Sequence, residues 1–389
     1  MKRTVIYMGG FRLPDKNAAA HRVMANAKLL RDIGYRVVFV DTQSGPGVET
    51  DVLASRHEVE GFETFSLRYP TTGRAWVKRL TSVNAFEQVS AQYANVALVI
   101  CYNFPAVALS RLHARCRRRG VKILADVTEW YGKGEAGPRD AIRRADSSLR
   151  MRLIHWKMDG LIVISKYLEA YYRHHPHVIR LPPLVDLEEL KWRNSQTGRR
   201  PREEMSFIYS GSPGARKDNL RAVVKAFQEL RTNRALHLNI VGVTLEEYTS
   251  NFNRSFNSVA TESQRIIFHG FLEHERSIEV LKSADYSIFI RDESRSNKAG
   301  FPTKYVESVS AGVPVVTNQM GDLDGELIRW NGGKMVDGTC SEAIMDALEE
   351  ILRGAQHRAS RAHPSQPARL YDYRNYKHEV QAFFEEVLS

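Results

Sequence analysis

Short apolar runs alternate with longer amphipathic stretches along the first half of the chain. The apolar runs predict β-strands over residues 4–8, 35–40, 97–102, 122–126 and 160–164. The segments between them have the apolar spacing of helices, for example over residues 18–33, where Gly34 follows the helix. Strands that alternate with helices in this way are typical of a parallel sheet covered on both faces. The first half therefore predicts a doubly wound α/β domain.

The second half repeats the same order of elements. Strands are predicted over residues 206–209, 235–241, 265–268, 286–290 and 313–316, and helices over 341–353 and 376–388. A polar stretch rich in charge, with Pro and Gly, lies between Pro183 and Pro201 and marks a domain boundary. We predict an N-terminal domain over residues 1–190 and a C-terminal domain over 201–371. Doubly wound domains bind ligands at the carboxyl ends of their strands, so a cleft between the domains is the expected site.

The net charge says more about the binding partners of the chain than its amino-acid composition does. The 389 residues include 56 Lys and Arg against 45 Asp and Glu, a net charge of +11 that favours anionic partners. Much of it lies in residues 111–119 and 139–157, and residues 76–80 add an aromatic and basic patch. Each segment by itself is explained by a solvated helix face, whereas together they favour peripheral contact with anionic lipid. Nucleic-acid binding is not expected, because zinc-ligand spacing and basic coiled-coil segments are absent.

Targeting and redox signals are weak. No apolar run is long enough to span a bilayer, and the first residues do not resemble a signal peptide. The three cysteines have no metal-like spacing, which favours free thiols in a reducing compartment. We expect a cytoplasmic protein with peripheral attachment to the inner membrane face.

The clearest chemical motif is Ala-Gly-Phe-Pro-Thr-Lys-Tyr-Val-Glu-Ser at residues 299–308. It predicts a loop, a helix and, after Gly312 and Pro314, a buried strand. Pro302 suits a first helical turn, whose backbone N–H groups form a natural phosphate site. Glu307, about one turn further on, is placed to bind a ribose diol. Phosphate together with diol indicates a nucleotide.

Two further loops follow predicted strands of the same domain. Gly211 begins a glycine-containing loop that ends in Arg216 and Lys217, so backbone N–H groups and cations can meet phosphate oxygens there. A plain strand-to-helix turn is an equally good interpretation. His269 and Gly270 end another strand, where loop backbone can contact a base edge.

The N-terminal domain offers acid/base candidates. Asp126 and Glu129 follow a strand at its carboxyl end, and solvated loop carboxylates are the competing interpretation. His21 and Arg22 sit near a helix start, where contact with an anion and a structural role are equally compatible with the sequence.

With these motifs the chain resembles the retaining glycosyltransferases of family 4, which have the GT-B architecture of two Rossmann-like domains facing an interdomain cleft. The resemblance covers nearly the whole length. It rests on residues 14–23 and 32–37 near the start, on Val163–Leu168 and Leu181–Asp186 at the end of the first domain, and on the donor-site motifs above. The Ala-Gly-Val-Pro-Val-Val sequence at residues 311–316 is its most specific element.

The resemblance implies roles by position. Arg216 and Lys217 are expected to hold the donor diphosphate and stabilise the leaving group. N–H groups of the backbone around Phe301 to Thr303 are expected to donate to phosphate and sugar oxygens, and Glu307 is expected to bind the ribose. Gly300, Pro302 and Lys304 are expected to belong to the same donor site. Gly9 and Gly10 are expected to approach the donor phosphates, and a terminal helix at about 372–389 to cross back onto the first domain.

One position departs from the family pattern. The family's first Glu, a contact of the transferred sugar, is replaced by Ala299, and Asn297, Lys298 or Arg295 are positional substitutes. The expected activity is transfer of a hexose from a UDP- or GDP-sugar to a glycan or lipid-linked acceptor in cell-surface polysaccharide synthesis. No metal ion or other cofactor is expected. A nucleotide-sugar epimerase of the same architecture and a non-catalytic nucleotide-sugar-binding protein are the alternatives.

Overall fold

The computed structural model describes residues 2–45, 51–132, 141–192, 204–212, 217–251, 265–324, 328, 333–355 and 369–389. The chain divides into two compact units, which are described here one at a time. Unit 1 comprises Met1–Val185, Lys298–Phe301 and Asp372–Ser389, and unit 2 comprises Asp186–Asn297 and Pro302–Tyr371. Among the described residues, no helix is both long enough and apolar enough to cross a membrane.

Unit 1 is built on an eight-stranded sheet in the order β3-β4-β2-β1-β5-β6-β7-β8. All neighbouring strands are parallel except the edge pair β3 and β4. The strands are β1 Thr4–Gly9, β2 Arg36–Gln43, β3 His57–Val59, β4 Phe62–Arg68, β5 Val96–Tyr102, β6 Lys122–Val127, β7 Gly160–Val163 and β8 Val178–Arg180. The chain reverses its direction of winding between β1 and β5, and such a switch point is where doubly wound folds bind ligands.

Helices cover the unit 1 sheet. They are α1 Ala18–Asp32, α2 Gly73–Thr81, α3 Asn84–Ser90, α4 Ala106–Arg118, α5 Ala141–Leu149 and α6 Lys166–Tyr171. Asn17 begins α1, since its side chain accepts a hydrogen bond from the backbone N–H of Ala20 at 2.9 Å. Apolar side chains of α1 and of the inner strands form one continuous core.

The last helix of the chain, Lys377–Leu388, completes that core. Val380, Phe383, Phe384 and Val387 are buried among residues of the first strands. The contact is close: a Cβ added to Gly160 would stand 3.1 Å from Phe383 and 3.1 Å from Val387. Residues Asp372–Ser389 therefore belong structurally to unit 1.

Unit 2 contains a six-stranded, wholly parallel sheet in the order β11-β10-β9-β12-β13-β14. Numbered within the unit this is 3-2-1-4-5-6, the order of the dinucleotide-binding fold, with its switch point between β9 and β12. The strands are β9 Glu204–Ser210, β10 Ala235–Val241, β11 Ile266–Gly270, β12 Tyr286–Ile288, β13 Val315–Asn318 and β14 Lys334–Val336. The helices of this part of the chain are α7 Leu220–Glu229, α8 Leu245–Asn251, α9 His274–Ser283, α10 Arg295–Ala299, α11 Thr303–Ser310 and α12 Ser341–Ala355. The last residues of α10 belong to unit 1, as does the terminal helix Lys377–Leu388, which is numbered α13.

The predicted architecture of two doubly wound α/β domains is confirmed. Every strand listed from the sequence is present, with ends that differ by a few residues, as at β13, which begins at Val315. The sequence did not predict the short strands β3, β8 and β14 or strand β4, which lies next to the edge strand β3. It also did not predict the short helix α10, where a loop was expected. Short strands have too few residues to establish a periodicity.

Candidate functional site

The switch point of unit 2 brings two segments together at the carboxyl ends of β9 and β12. Gly211 directly follows β9 and has a φ of +114°, a conformation that favours glycine. A Cβ at Gly211 would stand 3.0 Å from Cε of Lys304, so the absence of a side chain lets the lysine of the later motif lie against this loop. Segments that are far apart in sequence thus share one surface.

Lys217 lies exposed just before helix α7, in the loop that follows β9. The side-chain amide of Asn297 donates to the carbonyl oxygen of Lys217 at 3.1 Å and to that of Asp292 at 2.9 Å. These bonds tie the loop after β9 to the loop after β12 and fix the backbone from which Lys217 projects. Arg216, the other predicted phosphate ligand, lies outside the described residues.

Asp218 is the centre of a buried charge cluster. Its carboxylate accepts hydrogen bonds from the Tyr209 hydroxyl at 2.7 Å and from Nε of Arg291 at 2.9 Å, and it forms an ion pair with Nζ of Lys304. Lys304 also lies over the ring of Tyr209, 3.8 Å from the centroid. Asp218 does not cap α7, because the side chain of the next residue, Asn219, accepts the capping hydrogen bond from the Ala222 N–H at 3.1 Å. Two cations share one carboxylate, so the cluster keeps a surplus positive charge.

The pKa values of Asp218 and Lys304 are both shifted by burial and by their charged neighbours. Burial by itself would raise the pKa of Asp218, but Lys304 and Arg291 overcome that effect and lower it to about 2. Burial lowers the pKa of Lys304 to about 8, because Asp218 only partly offsets the loss of hydration and Arg291 and Lys217 oppose protonation. The lysine is therefore a cation whose charge is sensitive to pH and to a nearby anion.

Arg291 is fixed through its backbone. The side chain of Asn318, at the end of β13, accepts from the Arg291 N–H at 2.9 Å and donates to its carbonyl at 2.9 Å. Arg291 follows β12 and is buried with Asp218. Its position at the switch point could not be inferred from a motif, since no local pattern marks it.

The motif at residues 299–308 begins a helix as predicted, and Pro302 occupies the position just before α11. Gly300 and Thr303 are half-buried, and Phe301 is buried. The N-terminus of α11 carries the positive end of the helix dipole, which adds to the charge of Lys304 in its first turn. This end of the helix is suited to an anion.

Glu307 lies in the middle of α11 and is half-buried. Its carboxylate is 3.3 Å from Nε2 of His274, the first residue of α9. The ring of His274 in turn makes an edge contact with Trp192, with centroids 6.5 Å apart. His274 was not singled out from the sequence, because a single histidine near a helix start carries no distinctive spacing.

Ala299 is fully buried, and its carbonyl oxygen accepts a hydrogen bond from the Ser165 hydroxyl at 2.7 Å within unit 1. Of the three positional substitutes, Asn297 is buried, and Arg295 and Lys298 are half-buried. The amide nitrogen of Asn297 makes both of the carbonyl bonds described above, while its oxygen has no hydrogen-bond partner in the described part of the chain.

His269 and Gly270 end strand β11. The His269 ring is bonded to the side-chain oxygen of Asn239 at 2.9 Å, and burial lowers the pKa of His269. Gly270 has a φ of +65°, and its carbonyl accepts from the Gly242 N–H at 2.7 Å. Both residues thus brace the edge of the sheet in unit 2.

In unit 1 the Gly9–Gly10 turn follows β1 at that unit's own switch point. A Cβ on Gly9 would stand only 2.6 Å from the carbonyl oxygen of Tyr102 at the end of β5. The turn therefore packs directly on the neighbouring strand. Gly10 is exposed.

Asp126 is placed differently from the expectation. It lies inside β6, is fully buried, and forms an ion pair with Arg22 at 2.7 Å while accepting a hydrogen bond from the Tyr7 hydroxyl. Arg22 also donates to the carbonyl of Leu181 at 2.8 Å. The pair joins α1 to the sheet, which corrects the interpretation of Asp126 as an open acid/base group and shows Arg22 in a structural role. Glu129 is half-buried and accepts a hydrogen bond from the hydroxyl of Tyr131.

The expectation of metal independence stays a prediction. An Asp-x-Asp sequence, of the kind that binds metals in other enzymes, does occur at Asp322 and Asp324. Asp322 is buried and Asp324 half-buried, and the charge of Asp324 contributes to raising the pKa of Tyr305. The pair makes the effect of a chelator worth measuring.

Comparison with known proteins identifies the fold and a matching family model for part of the chain. Residues 204–354, most of unit 2, match the family model described as "Glycosyl transferases group 1". This match and the structural neighbours below support a glycosyltransferase, and the architecture is the GT-B fold predicted from the sequence. Among curated protein sequences, none matches the chain.

Many solved structures resemble the chain over nearly its whole length, and three of them illustrate the range. Sucrose-phosphate synthase from Thermosynechococcus elongatus aligns with a TM-score of 0.75 at 17% identity, over 99% of both chains. Anabaena HepE in complex with UDP aligns with a TM-score of 0.66 at 12% identity, over 99% of this chain and 100% of the other. UDP-GlcNAc 2-epimerase from Methanocaldococcus jannaschii aligns with a TM-score of 0.58 at 9% identity, over 98% and 99%. At these identities the likeness shows the fold.

Proposed function

We propose that the chain is a retaining glycosyltransferase of the family 4 type. It transfers a hexose from a nucleoside diphosphate sugar to a glycan or lipid-linked acceptor in cell-surface polysaccharide synthesis. The observation that carries the proposal is the cationic switch point of unit 2, where Lys217 and Lys304 lie beside the buried Asp218–Arg291 pair. The match of residues 204–354 to group 1 glycosyltransferases supports it.

The chemistry of transfer explains why such a cluster is useful. When the glycosidic bond breaks, negative charge grows on the departing diphosphate. Fixed cations and helix N–H groups stabilise that charge without having to reorient during the reaction. In this proposal Lys217 and Arg216 hold the diphosphate, and Lys304 adds charge from the first turn of α11. Because these groups can do the work of a divalent cation, activity should persist in excess EDTA, and loss of activity there would contradict this part of the proposal.

The nucleoside end of the donor is assigned to the remaining predicted residues. Glu307, with His274 beside it, binds the ribose hydroxyls, and the backbone near His269 and Gly270 contacts the base. Gly211, Gly300, Phe301 and Thr303 provide backbone N–H donors. Gly9 and Gly10 stay predicted contacts of a phosphate, and Glu129 is the remaining acid/base candidate of unit 1.

The identity of the donor is tested most directly by a thermal-shift panel of UDP-, GDP-, ADP- and dTDP-sugars. A ligand that binds only the native state raises the apparent stability, by about 3 kcal/mol at a hundredfold excess over its Kd. HepE was solved with UDP, so UDP-sugars are the first to test. A shift with one base and none with the others fixes the nucleoside. No shift with any of the four would overturn the proposal.

An epimerase is the second candidate, because the Methanocaldococcus jannaschii UDP-GlcNAc 2-epimerase has a similar fold. The two activities differ in their need for an acceptor. An epimerase interconverts the donor by itself, whereas a transferase leaves it intact until an acceptor is added. Following the donor sugar by NMR without acceptor separates them. With acceptor, the anomeric signals of the product report whether configuration is retained.

A non-catalytic nucleotide-sugar-binding protein is the third candidate, and Ala299 is the observation that favours it. The variant Ala299→Glu tests whether the chain lacks a carboxylate that catalysis requires. Because Ala299 is fully buried, a glutamate there places a carboxylate in an apolar space. We expect lower stability and no gain of turnover in a protein that is already active. A gain of activity would indicate that the natural chain lacks a required carboxylate.

Peripheral attachment to anionic lipid is proposed from unit 1. Trp76 and Val77 on α2, Ile142 on α5 and Leu153 shortly after it are exposed apolar side chains in the basic part of the chain. Such a mixture suits insertion among acidic headgroups. The double variant V77E/I142E should lose co-sedimentation with phosphatidylglycerol vesicles, while F271E, at an exposed phenylalanine of unit 2, should retain it. Equal binding of both variants would contradict this surface.

A further inference from the structure

Arg79 of unit 1 lies beside the Gly9–Gly10 turn. Arg79 lies in the last turn of α2 and is half-buried. Among the residues that the structure describes, it has no hydrogen bond and no ion pair. A Cβ built on Gly10 would stand 3.5 Å from a guanidinium nitrogen of Arg79, so the cation lies beside the glycine turn that follows β1.

The two buried arginines described in unit 1 are both paired with a carboxylate. Arg22 is paired with Asp126 and Arg150 with Asp146. Removing a guanidinium from water without a partner is unfavourable, and burial lowers the pKa of Arg79 accordingly. The phenol of Tyr69, whose ring lies 5.6 Å from that of Trp76 on α2 between centroids, favours the charged form of Arg79 only in part. Among the described residues, Arg79 therefore lacks the carboxylate partner that Arg22 and Arg150 have.

The location adds a second, independent observation. The turn lies at the switch point of the unit 1 sheet, between the carboxyl ends of β1 and β5, where doubly wound folds bind ligands. Gly9 cannot carry a side chain without striking the Tyr102 backbone, so the turn is held in place. Gly10 beside it is exposed and leaves room next to Arg79.

We propose that Arg79, with the exposed Gly10 turn, binds a phosphate or diphosphate group of a substrate. The planar guanidinium can donate two parallel hydrogen bonds to phosphate oxygens, which is the geometry that arginine offers and lysine does not. The site extends the proposed function, on which the identity of the substrate rests, by a residue outside the motifs of the donor site. The phosphate belongs either to the donor diphosphate or to a phosphate-linked acceptor.

Calorimetry with the full chain tests the site and distinguishes the two sources. In the first arm UDP is titrated into the wild-type protein, Arg79→Gln and the control Arg74→Gln, which removes an exposed arginine from the same helix. In the second arm inorganic pyrophosphate is titrated into the same proteins saturated with UDP. Arg79→Lys keeps the positive charge but cannot donate two parallel hydrogen bonds to one phosphate. Melting curves check that each variant is folded.

We expect Arg79→Gln to weaken one of the two ligands by about ten- to a hundredfold, the range for hydrogen bonds to a charged group, with Arg79→Lys in between. Weakened UDP assigns the phosphate to the donor, and weakened pyrophosphate assigns it to the acceptor. If Arg79→Gln equals Arg74→Gln in both arms, the site is overturned. If the wild-type protein does not bind UDP, the UDP-donor assignment fails, and pyrophosphate binding still decides the role of Arg79.

Discussion

At the scale of single residues, Lys217 is the side chain whose loss should affect turnover most directly. It is exposed beside the Asp218 cluster, and its backbone is held by Asn297. We expect Lys217→Ala to lower kcat by about ten- to a thousandfold, as when one preorganised charge-stabilising donor is removed. Initial rates at saturating donor measure the effect.

The matched control for that variant is Lys225→Ala. Lys225 is a surface lysine on α7 that pairs with Glu229 and Glu342. Surface pairs of this kind contribute little, so its rate should equal that of the wild-type protein. A folded Lys217→Ala protein with normal kcat would remove Lys217 from the mechanism.

Lys304 gives the activity an alkaline limit. Because its pKa is about 8, the rate should fall as the pH rises through that value and the ammonium loses its proton. The charged groups that face it are Asp218, Arg291 and Lys217, with the Tyr209 ring beneath. Asp218→Asn removes the anion that favours the ammonium, so the descending limb should move to lower pH.

A pH–rate profile of kcat measures this shift. The control is Glu350→Gln. This variant removes the carboxylate partner of Lys334, a lysine that is not part of the Asp218 cluster. Its profile should overlay that of the wild-type protein. An Asp218→Asn profile with an unchanged alkaline limb would show that Lys304 does not set it.

Asp218 itself should make the protein sensitive to acid. Its pKa falls from the usual 3.8 to about 2 on folding, so the folded state holds the proton less tightly than the unfolded chain. The resulting stability, about 2 kcal/mol, is present above pH 4 and is lost as the pH falls towards 2. Urea titrations at the two pH values measure the free energy of unfolding. Its decrease from pH 4 to pH 2 should be smaller in Asp218→Asn than in the wild-type protein by about 2 kcal/mol. An identical decrease in both proteins would contradict the contribution of Asp218 to acid sensitivity.

At the scale of elements, the turn after β1 depends on Gly9. An added methyl group would lie 2.6 Å from the Tyr102 carbonyl and force β1 and β5 apart. We expect Gly9→Ala to lower the free energy of unfolding by about 1–3 kcal/mol, the usual effect of overpacking. Gly73→Ala in α2 is the control, because nothing lies within 4 Å of its added Cβ. Equal stabilities in urea denaturation would refute the predicted clash.

The sequence predicted elements well where one face or a whole run was apolar. Parallel strands buried on both sides, such as β1 and β5, are continuous apolar runs and were located within a residue or two. Helix α2 has no buried residue, and β4 pairs with the short antiparallel β3 at the sheet edge, so neither gave a clear pattern.

Residues of the candidate site were predictable from the sequence where they belong to a continuous motif, and not where they meet only in the folded chain. Glycine turns, the Pro-Thr-Lys helix start and Glu307 belong to continuous motifs and could be found from sequence. The cluster around Asp218 could not, since Arg291 lies 73 residues and Lys304 86 residues further along the chain. Arg79 has no motif at all. Such contacts exist only once the sheet order brings the strand ends together.

At the scale of the whole molecule, the terminal helix α13 should determine whether unit 1 is stable. Phe384 is buried and its ring lies 5.6 Å from that of Tyr35. We expect Phe384→Ala to cost about 3–5 kcal/mol, the range for removing a buried aromatic ring. Phe271→Ala, at a phenylalanine that is 75% exposed, should leave the urea midpoint unchanged. Equal midpoints for the two variants would show that α13 contributes little.

The position of α13 at the far end of the sequence also has a consequence for synthesis. Every segment of unit 2 leaves the ribosome before residues 372–389, which unit 1 needs to close its core. The earlier-made domain must therefore wait, with an apolar face uncovered, while the later-made one acquires its own core. Domains usually fold in the order in which they are made, and here that order is reversed at the last step. The nascent chain is thus exposed to aggregation through this apolar face until α13 emerges.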